Sequence, residues 1–326
     1  MKKTAAILFC IISLAACKKE LSEQFYVYNN SPLNDTTWNN MPLSDAFIDS
    51  IEDHIGIPNF FIDSANASTA THLNLNDSIE VTIPANSCTK DGNYIIQNGF
   101  IQVQLIPLLK RGDFIRFLVP TINKKYVLES AGNFYLRLIK DGQEVYPAPN
   151  NSITIKWRDP APKTGMSYTI GYPNGRDSLF AWQPLYTNGG TVTIWDSTGQ
   201  GVNKKGYLLQ TPYTDWIGAM KAVDTTQGQT RLNVVLPLNY TNKNTMVFAV
   251  FNNTKTAIKL DPDLKSRTFY AANIPLNTPL TLISISLMDQ TFYVGQQSTV
   301  LTNANPVNVT PQKTTLGNLN NVLDNL

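Results

Sequence analysis

Cysteine and histidine are the side chains best suited to nucleophilic or acid–base chemistry near neutral pH, and this chain has few of them. It contains three cysteines and two histidines among 326 residues. Neither His54 nor His72 belongs to a His-Glu-x-x-His sequence, and no Gly-x-Ser-x-Gly elbow is present. The sequence therefore predicts no metal site and no cofactor, and it favours a non-catalytic protein over an enzyme.

Carboxylates offer two further kinds of chemistry. Asp49, Asp53 and His54 lie close together on a predicted helix, where they could bind a metal ion or form a solvated face. The solvated face is favoured, because carboxylates on one helical turn rarely complete a coordination shell. A hydrolase whose paired carboxylates come from distant positions stays open as an alternative, since glycoside hydrolysis uses such a pair.

The N-terminus has the pattern of a bacterial lipoprotein leader. Two lysines precede an apolar stretch, 4–16, which is shorter than the ~20 residues of a membrane-spanning helix. The sequence LAAC, ending at Cys17, resembles the lipobox, in which the cysteine thiol receives lipid. The alternatives are an uncleaved anchor and ordinary cleavage that leaves a free thiol. The lipobox predicts a signal peptide at 1–16 and several acyl chains, such as palmitate, on Cys17, which together anchor a protein stably.

The remaining cysteines are Cys10, inside the predicted signal peptide, and Cys88. Because Cys17 would carry lipid, Cys88 would have no disulfide partner within the mature chain. An exported chain without disulfides has to be stabilised by its hydrophobic cores. Cys88 also lacks a histidine nearby in sequence, which favours a buried, inert thiol.

The charge balance argues against a nucleic-acid partner. The chain has 26 basic and 24 acidic residues, and loss of the predicted signal peptide removes two lysines and leaves the charges equal. Nucleic-acid binders usually carry a basic excess, because neutralised phosphates supply much of the affinity. The expected partners are the membrane, through the lipid anchor, and a protein or a glycan.

Helical patterns are confined to two short segments. Residues 17–40 are polar and lack periodicity, which predicts a tether. Apolar positions then recur at helical spacing and predict a short helix containing Phe47, Ile48, Ile51 and Ile55. Near the C-terminus, Thr310-Pro311 predicts a helix start, followed by a stripe of Leu316, Leu319, Leu323 and Leu326.

Short strands dominate the sequence between these helices. Apolar runs rich in Ile, Val, Phe and Tyr include LNDSIEVTIPA, FIQVQLIPL, DFIRFLVP and SITIKW. Turn signals separate them at Asp91-Gly92, Arg111-Gly112-Asp113, Ala131-Gly132-Asn133 and Asp141-Gly142. This pattern predicts a mainly β fold of two or three antiparallel, Ig-like β-sandwich domains with one short helix near each end.

The sequence RDPAPK at 158–163 indicates a linker, because it combines two prolines with charge and has no apolar period. The predicted first domain, 41–159, contains the short helix and a sandwich. A middle β-rich segment follows at 160–224, and a C-terminal sandwich with the terminal helix occupies 225–326. The number of sandwiches, two or three, stays open.

Tryptophan supplies the remaining candidate site. In the predicted strand TVTIWDS, Val192 and Ile194 share one face, and Trp195 shares the other with threonines. An exposed indole beside a carboxylate can stack on a sugar ring, which makes Trp195, Asp196 and Trp182 candidates for ligand stacking. The alternative, packing of Trp195 against the neighbouring domain or the Trp182 strand, is favoured because tryptophans are buried on average.

The stretch VTIPANSCTKDGNYIIQNGFIQVQLIPL resembles the opening of a β-sandwich domain of uncharacterised Bacteroidota lipoproteins, which is related to domains of netrin receptors and ankyrins. The matching residues are Ile83, Pro84, Ala85, Asn86, Gly92 and Gly99. The resemblance implies a sandwich fold and contacts with other proteins. Some relatives cleave themselves at His-Phe-Ser, but His54 precedes isoleucine and His72 precedes leucine, which implies that this chemistry is absent. The C-terminal part is also similar to the end of such lipoproteins.

The expected function is that of a lipid-anchored, non-catalytic protein of the outer membrane that acts as an interaction or structural module. Lys18-Lys19-Glu20 partly resembles the surface-export signal of such lipoproteins, so the cell surface and the periplasmic face both stay open. The first alternative is a glycan-binding lipoprotein of a polysaccharide-uptake system. The second is the hydrolase with dispersed carboxylates.

Overall fold

The computed structural model describes residues 32–40, 43, 45–55, 60–123, 126–172, 180–184, 189–197, 204–303 and 306–326. The chain forms two compact units, 1–35 and 36–326. The described part of the first unit contains a 3₁₀ turn at Pro32–Asn34. The predicted signal peptide, Cys17 and most of the predicted tether lie outside the described residues.

The described helices are short, and most of the remaining elements are strands. The helices are α1 (Asp45–Ile55), α2 (Arg111–Arg116) and α3 (Leu316–Asp324). The strands up to residue 222 are β1 (Phe61–Asn66), β2 (Thr71–Asn76), β3 (Ile79–Ile83), β4 (Cys88–Thr89), β5 (Phe100–Leu108), β6 (Leu128–Lys140), β7 (Gln143–Pro147), β8 (Ile153–Arg158), β9 (Ser167–Tyr172), β10 (Ala181–Pro184), β11 (Thr191–Ser197), β12 (Lys204–Thr211) and β13 (Asp215–Ala222). The later strands are β14 (Gln229–Val235), β15 (Thr245–Phe251), β16 (Thr256–Lys259), β17 (Asp261–Asp263), β18 (Thr268–Pro275), β19 (Pro279–Met288), β20 (Thr291–Val300), β21 (Val307–Asn308) and β22 (Gln312–Thr314).

The first sandwich is built from β1 to β13. One sheet has the order β1-β5-β6-β13-β9-β10, with β7 paired to β6 and β4 paired to β7, and the other has the order β11-β12-β8-β3-β2. Strands of the predicted first domain, 41–159, pair with strands of the predicted middle segment, 160–224, in both sheets. For example, β13 lies between β6 and β9, and β12 lies between β11 and β8.

The second sandwich is built from β14 to β22. Its sheets have the orders β17-β18-β14-β21 and β16-β15-β19-β20-β22, and the pairings are antiparallel except for the short parallel contact of β14 with β21. The mainly β, antiparallel sandwich fold expected from the alternating apolar runs is therefore confirmed. In the described part of the chain, no helix is both long enough and apolar enough to cross a membrane.

Each sandwich has its own hydrophobic core, and a third cluster, called the shared core here, fills the space between the sandwiches and the helices. Its main members come from all three helices, from β15 and β19, and from the first sandwich: Phe47, Ile51, Ile55, Phe114, Ile115, Met246, Phe248, Val250, Ile283, Ile285, Leu319, Leu323, Leu108, Leu128, Trp182 and Met220. The helices thus cover an apolar sheet face that would otherwise contact water.

Burial on two faces explains why β15 is a continuous apolar run. Met246, Phe248 and Val250 lie in the shared core, whereas Val247 and Ala249 lie in the core of the second sandwich. A strand buried on both sides needs apolar residues at every position, so the usual polar alternation disappears. β19 is also buried on both faces, but it keeps the buried polar residues Thr281, Ser284 and Ser286 among its apolar ones.

Arg116, at the end of α2, fastens the three helices together. Its buried guanidinium donates to the carbonyl oxygen of Ile55, the last residue of α1, at 2.6 Å. It also donates to the side-chain and backbone oxygens of Asn320 at 2.6 and 2.9 Å and to Asp324 Oδ1 at 2.8 Å. Carbonyls near a helix C-terminus lack intrahelical partners and attract cations, so one side chain satisfies groups on both α1 and α3.

Backbone hydrogen bonds hold the edge strand β16 of the second sandwich against the first. Thr121 N–H donates to Ala257 O at 2.8 Å, and Ser130 N–H donates to Lys255 O at 3.0 Å. The Thr256 hydroxyl donates to Leu128 O at 2.9 Å. These bonds satisfy part of the exposed edge of the sheet and join the sandwiches without an intervening linker.

The structure confirms the two predicted helices and corrects one boundary. Phe47, Ile51 and Ile55 of α1 are buried, as are Leu319 and Leu323 of α3. The terminal helix does not begin at Thr310-Pro311, because residues 312–314 form β22. It begins at Leu316, where the Thr315 side chain accepts a hydrogen bond from Asn318 N–H.

Two turn predictions were wrong. DFIRFLVP, predicted as a strand after an Arg111-Gly112-Asp113 turn, instead contains most of α2, and residues 112–116 are buried on every side. Ala131-Gly132-Asn133 lies inside β6 rather than in a turn. The glycine is there for packing, since a Cβ at Gly132 would lie only 2.9 Å from Trp157 Nε1. Asp141-Gly142 does form the predicted hairpin turn, between β6 and β7, with φ of 52° and 76°.

The buried environment of Cys88 is also as predicted. The thiol is 1% exposed and unpaired, and burial raises its pKa above the usual value, which leaves little thiolate at neutral pH.

Gly112 and Gly317 give a matched test of the helix packing, because both are helical glycines. A Cβ at Gly112 would clash with the carbonyl oxygen of Leu323, whereas the nearest atom to a Cβ at Gly317 is Thr315 Oγ1 at 4.0 Å. We expect Gly112→Ala to lower the free energy of unfolding by roughly 2–3 kcal/mol. Gly317→Ala should raise it by about 0.5 kcal/mol through helix propensity.

Urea unfolding of the purified chain, followed by circular dichroism, measures both effects. Equal shifts for the two variants would contradict the close approach of α2 to α3.

Candidate functional site

The structure places Trp195 on β11, an edge strand of the five-stranded sheet of the first sandwich, with its ring half-buried. Its indole N–H donates to Trp157 O at 3.2 Å and to Tyr207 O at 3.1 Å, and the Lys156 ammonium lies 4.5 Å from the ring centroid. The polar edge and one face of this indole are therefore occupied by groups of the chain itself. Asp196 is exposed and lies opposite Lys205 in the ladder.

Trp182 lies in the other sheet of the first sandwich, on β10, so the structure does not bring it together with Trp195. Its side chain is fully buried in the shared core. The indole N–H donates to Pro120 O at 3.2 Å, and the ring packs edge-on against Phe180 at 5.1 Å between centroids. A ring enclosed in this way offers no face to a ligand.

The two histidines lie apart on the surface. His54 contacts the backbone oxygen of Ser50, one turn earlier in α1, and the exposed Asp53 precedes it. His72 contacts the Thr82 hydroxyl at 2.9 Å and lies 3.4 Å from Glu80. Among the described residues, no three histidine, cysteine or carboxylate side chains are grouped as metal ligands would be.

A different set of aromatic residues forms an open cleft on the eight-stranded sheet, which we call the aromatic cleft. It has a volume of about 600 Å³, within the usual range for small-molecule sites. Its lining combines three tyrosines, one tryptophan and one carboxylate with smaller residues. The lining residues are Tyr135, Ile170, Gly171, Tyr172, Tyr213, Thr214, Asp215 and Trp216.

The loop that carries half of this lining is held by a buried threonine. The Thr211 hydroxyl donates to Tyr213 O at 2.8 Å and accepts from Tyr213 N–H at 3.0 Å. Because its single proton is used there, the 2.8 Å contact with Tyr168 is donated by the phenol. Asp215 then takes a left-handed φ of 66°, which turns the chain into β13. The four side chains from 213 to 216 are thereby placed on a fixed backbone.

Trp216 forms the floor of the cleft and is wedged between other rings. It lies directly opposite Tyr135 in the ladder, with centroids 4.9 Å apart, and its other neighbours are Phe180 at 5.6 Å and Phe117 at 6.4 Å. Gly171 makes this possible, since a Cβ there would clash with both Phe180 and Trp216. The exposed part of the indole is thus held in one orientation by ring–ring contacts.

Several polar groups of the cleft have no partner in the part of the chain that the structure describes. The hydroxyls of Tyr135, Tyr172 and Tyr213, the indole N–H of Trp216 and the carboxylate of Asp215 make no hydrogen bond to any residue in the described ranges. Tyr172 and Tyr213 are each about two-fifths exposed, at 40% and 41%. The cleft therefore presents donors and acceptors that no described residue satisfies, and a ligand could bond to them.

An ion pair lies close enough to the cleft to affect the pKa of its carboxylate. Arg137 donates to Glu144 Oε1 at 2.8 Å from Nε and 2.5 Å from a terminal nitrogen, and Tyr146 contacts the other Glu144 oxygen at 3.4 Å. Partial desolvation raises the pKa of Asp215, the nearby Glu144 charge raises it further, and Arg137 partly opposes this. Desolvation and the charge of Asp215 likewise raise the pKa of Tyr135.

A second opening, the charged cleft, lies where the two sandwiches meet and has a volume of about 390 Å³. Glu129 is nearly buried there and forms ion pairs with Lys163 and, at 3.7 Å, with Lys221. Asp159 pairs with Lys255 of the second sandwich at 2.9 Å. Because lysines already neutralise both carboxylates, this arrangement fits a link between the sandwiches better than a free acid and base.

The aromatic cleft was missed in the sequence because its residues come from separate segments. Tyr135 lies on β6, Tyr172 ends β9, and the run from Tyr213 to Trp216 leads into β13. The only local signal is the sequence YTDW, in which two aromatic residues flank a carboxylate. Strand order, which unites β6, β13 and β9, was needed to join these residues into a site.

Comparison with protein-family models finds no match for the chain, and comparison with curated proteins finds none either. The functional interpretation therefore depends on the geometry of the clefts and on the sequence motifs.

The pKa shift of Asp215 predicts the effect of Asp215→Asn on stability. A raised pKa means that ionisation disfavours the folded state, so stability is lost as the pH rises from the unfolded pKa through the folded one. An asparagine side chain has nearly the same shape as that of aspartate, tolerates the positive φ and carries no charge. We expect Asp215→Asn to stabilise the chain at neutral pH by less than about 1 kcal/mol and to have no effect near pH 3.

Urea unfolding at the two pH values tests this expectation. Asp289→Asn, in the β19–β20 turn, is the control for the substitution, because Asp289 also has a positive φ. An effect of Asp215→Asn that is the same at both pH values would contradict the electrostatic explanation.

Proposed function

We propose that the chain is a lipid-anchored, non-catalytic protein of the cell envelope that acts as an interaction module. The LAAC sequence ending at Cys17 supports the anchor, with the outer membrane as the location and the cell surface or the periplasm as the side it faces. The observation that carries the proposal is the aromatic cleft, whose exposed rings and unpartnered polar groups resemble a binding surface more than a solvated sheet face.

The hydrolase alternative receives less support than binding. The charged cleft contains two carboxylates, but Glu129 and Asp159 are both ion-paired with lysines. The aromatic cleft has one carboxylate in its lining, and the neighbouring Glu144 is bound to Arg137. Hydrolysis of a glycosidic bond needs one carboxyl to donate a proton and another to act as base or nucleophile.

Glycan binding, the second candidate, is favoured by one specific observation. Tyr172 and Tyr213 are exposed in a cleft that the half-buried rings of Tyr135 and Trp216 also line, together with hydroxyls, an indole N–H and a carboxylate. Sugar rings offer apolar C–H faces for stacking and hydroxyls for hydrogen bonding, which matches this combination. The site proposed for the glycan is therefore the aromatic cleft rather than Trp195, and uptake of a polysaccharide is the corresponding role.

The anchor is tested by Cys17→Ser in the full-length precursor, expressed in a bacterium with an outer membrane. We expect the unaltered chain to incorporate radioactive palmitate and to sediment with membranes. The serine variant should remain unlabelled, because the lipid requires the thiol. Cys10→Ser, inside the predicted signal peptide, is the matched control and should keep the label. Palmitate on the Cys17→Ser protein would contradict the lipidation site.

Glycan binding is tested with Tyr172→Ala and Tyr213→Ala on a glycan array, followed by calorimetry with the best ligand. Both side chains are accessible and lie outside the hydrophobic cores, so the variants should fold. We expect each to weaken binding about tenfold, which corresponds to ~1.4 kcal/mol. The control is Tyr94→Ala, at a tyrosine that is 80% exposed and precedes β5.

Two outcomes count against this second candidate. Failure of the unaltered chain to bind any glycan contradicts glycan binding and leaves the anchored interaction module standing. Loss of binding in Trp195→Ala with full binding in Tyr213→Ala contradicts the assignment to the aromatic cleft.

A further inference from the structure

We propose that the aromatic cleft selects an amino sugar, a glycan unit whose free amine is protonated, through Asp215 and the surrounding rings. This inference rests on the glycan-binding candidate and narrows its ligand class from any sugar to a cationic one.

The first observation is that Asp215 has no counter-ion among the described residues. Its carboxylate makes no hydrogen bond or ion pair with any residue of the described segments. The nearby cation, Arg137, is held by Glu144 through two short hydrogen bonds. These three side chains together carry one excess negative charge at the edge of the cleft, and a ligand cation would neutralise it.

The second observation is the arrangement of aromatic rings around that charge. Tyr135, Tyr172, Tyr213 and Trp216 line the same cleft as Asp215, and their faces carry partial negative charge. A cation placed over such faces is attracted to them, more strongly where water is excluded. Rings and carboxylate therefore favour the same ligand charge, whereas a sugar acid would be repelled by Asp215 and Glu144.

The chain itself uses the same pairing elsewhere. The Lys156 ammonium lies 4.5 Å from the ring centroid of Trp195, and the Arg231 guanidinium lies 3.8 Å from that of Tyr270. Both cations also approach a carboxylate, Glu80 at 3.9 Å for Lys156 and Asp263 at 2.6 Å for Arg231. At two places in this fold, an aromatic ring and a carboxylate together hold a cation. In the aromatic cleft the ring and carboxylate are present, and among the described residues no lysine or arginine covers the rings.

An amine-bearing sugar fits better than a bare ammonium ion because the cleft is larger than one cation needs. Its volume of about 600 Å³ accommodates a sugar unit or more, and the tyrosine hydroxyls and the Trp216 N–H can bond the remaining sugar hydroxyls. Sugar C–H groups would cover the Trp216 ring while the amine reaches Asp215.

The pH dependence of binding follows from the charges that face Asp215. These are Glu144 and Arg137, on β7 and β6, and the phenols of Tyr135, Tyr172 and Tyr213 line the same cleft. Asp215 has to be ionised to hold the amine, and its pKa is raised by desolvation and by Glu144. Affinity should fall as the pH drops through that raised pKa, and again at alkaline pH as the amine loses its proton.

The test compares two oligosaccharides of equal length, the tetramer of glucosamine and the tetramer of N-acetylglucosamine, by calorimetry at about pH 6 with the folded mature chain. We expect the glucosamine tetramer to bind at least tenfold more tightly. Asp215→Asn should abolish this preference by lowering the affinity for the glucosamine tetramer to that for the acetylated one, because the substitution removes the negative charge that attracts the amine. Asp289→Asn should preserve the preference.

Other outcomes overturn the inference. Equal affinity for the two tetramers, a preference that survives Asp215→Asn, or binding of neither tetramer each contradicts selection of an amino sugar. If array glycans still bind and Tyr213→Ala still weakens them, the glycan-binding candidate stands without the amine selectivity. A tetralysine peptide that binds as tightly as the glucosamine tetramer, with the same dependence on Asp215, would show recognition of any ammonium group and would overturn the sugar assignment.

Discussion

The contacts of Arg116 are the constraint on which the arrangement of the second unit depends. Its guanidinium lies on α2 and bonds the last carbonyl of α1 and two residues of α3, so three short helices share one buried cation. Helices of six to eleven residues are marginal alone in water. Bound to each other, they cover the apolar outer face of β15 and β19, and the shared core forms beneath them.

The shared core also positions the aromatic cleft. Phe117 follows α2 directly, and Phe180 belongs to the shared core, and both rings pack against Trp216. The floor of the cleft is therefore continuous with the packing that joins the two sandwiches. Because packed rings hold few alternative rotamers, the exposed edge of Trp216 is oriented before any ligand arrives, and pre-organisation of this kind lowers the entropic cost of binding.

Sequence patterns predicted most of the strands, including the fully buried run of β15, and the two amphipathic helices, but they failed for the short helix α2. The alternating runs gave the strands, and the leucine stripe gave α3. The segment of α2 is buried on all sides, so its residues show no 3.6-residue period, and DFIRFLVP looked like a strand. Gly132 looked like a turn residue because the sequence does not reveal that Trp157 packs against it. The aromatic cleft was not predicted for a different reason, since pairing of β6, β13 and β9 joins residues far apart in the chain.

Trp195 and Trp216 show why exposure alone is a weak guide to a binding surface. Both are half-buried strand tryptophans next to an aspartate, and on sequence grounds Trp195 is the more attractive candidate. In the fold, the N–H of Trp195 is bonded to two carbonyls and its face is covered by Lys156, so its interactions are satisfied within the chain. Trp216 has its ring held by other rings, yet its N–H and its neighbouring carboxylate lack partners in the described structure. Function is better sought where a rigid group has interactions left to make, because a ligand gains most there for the least loss of freedom.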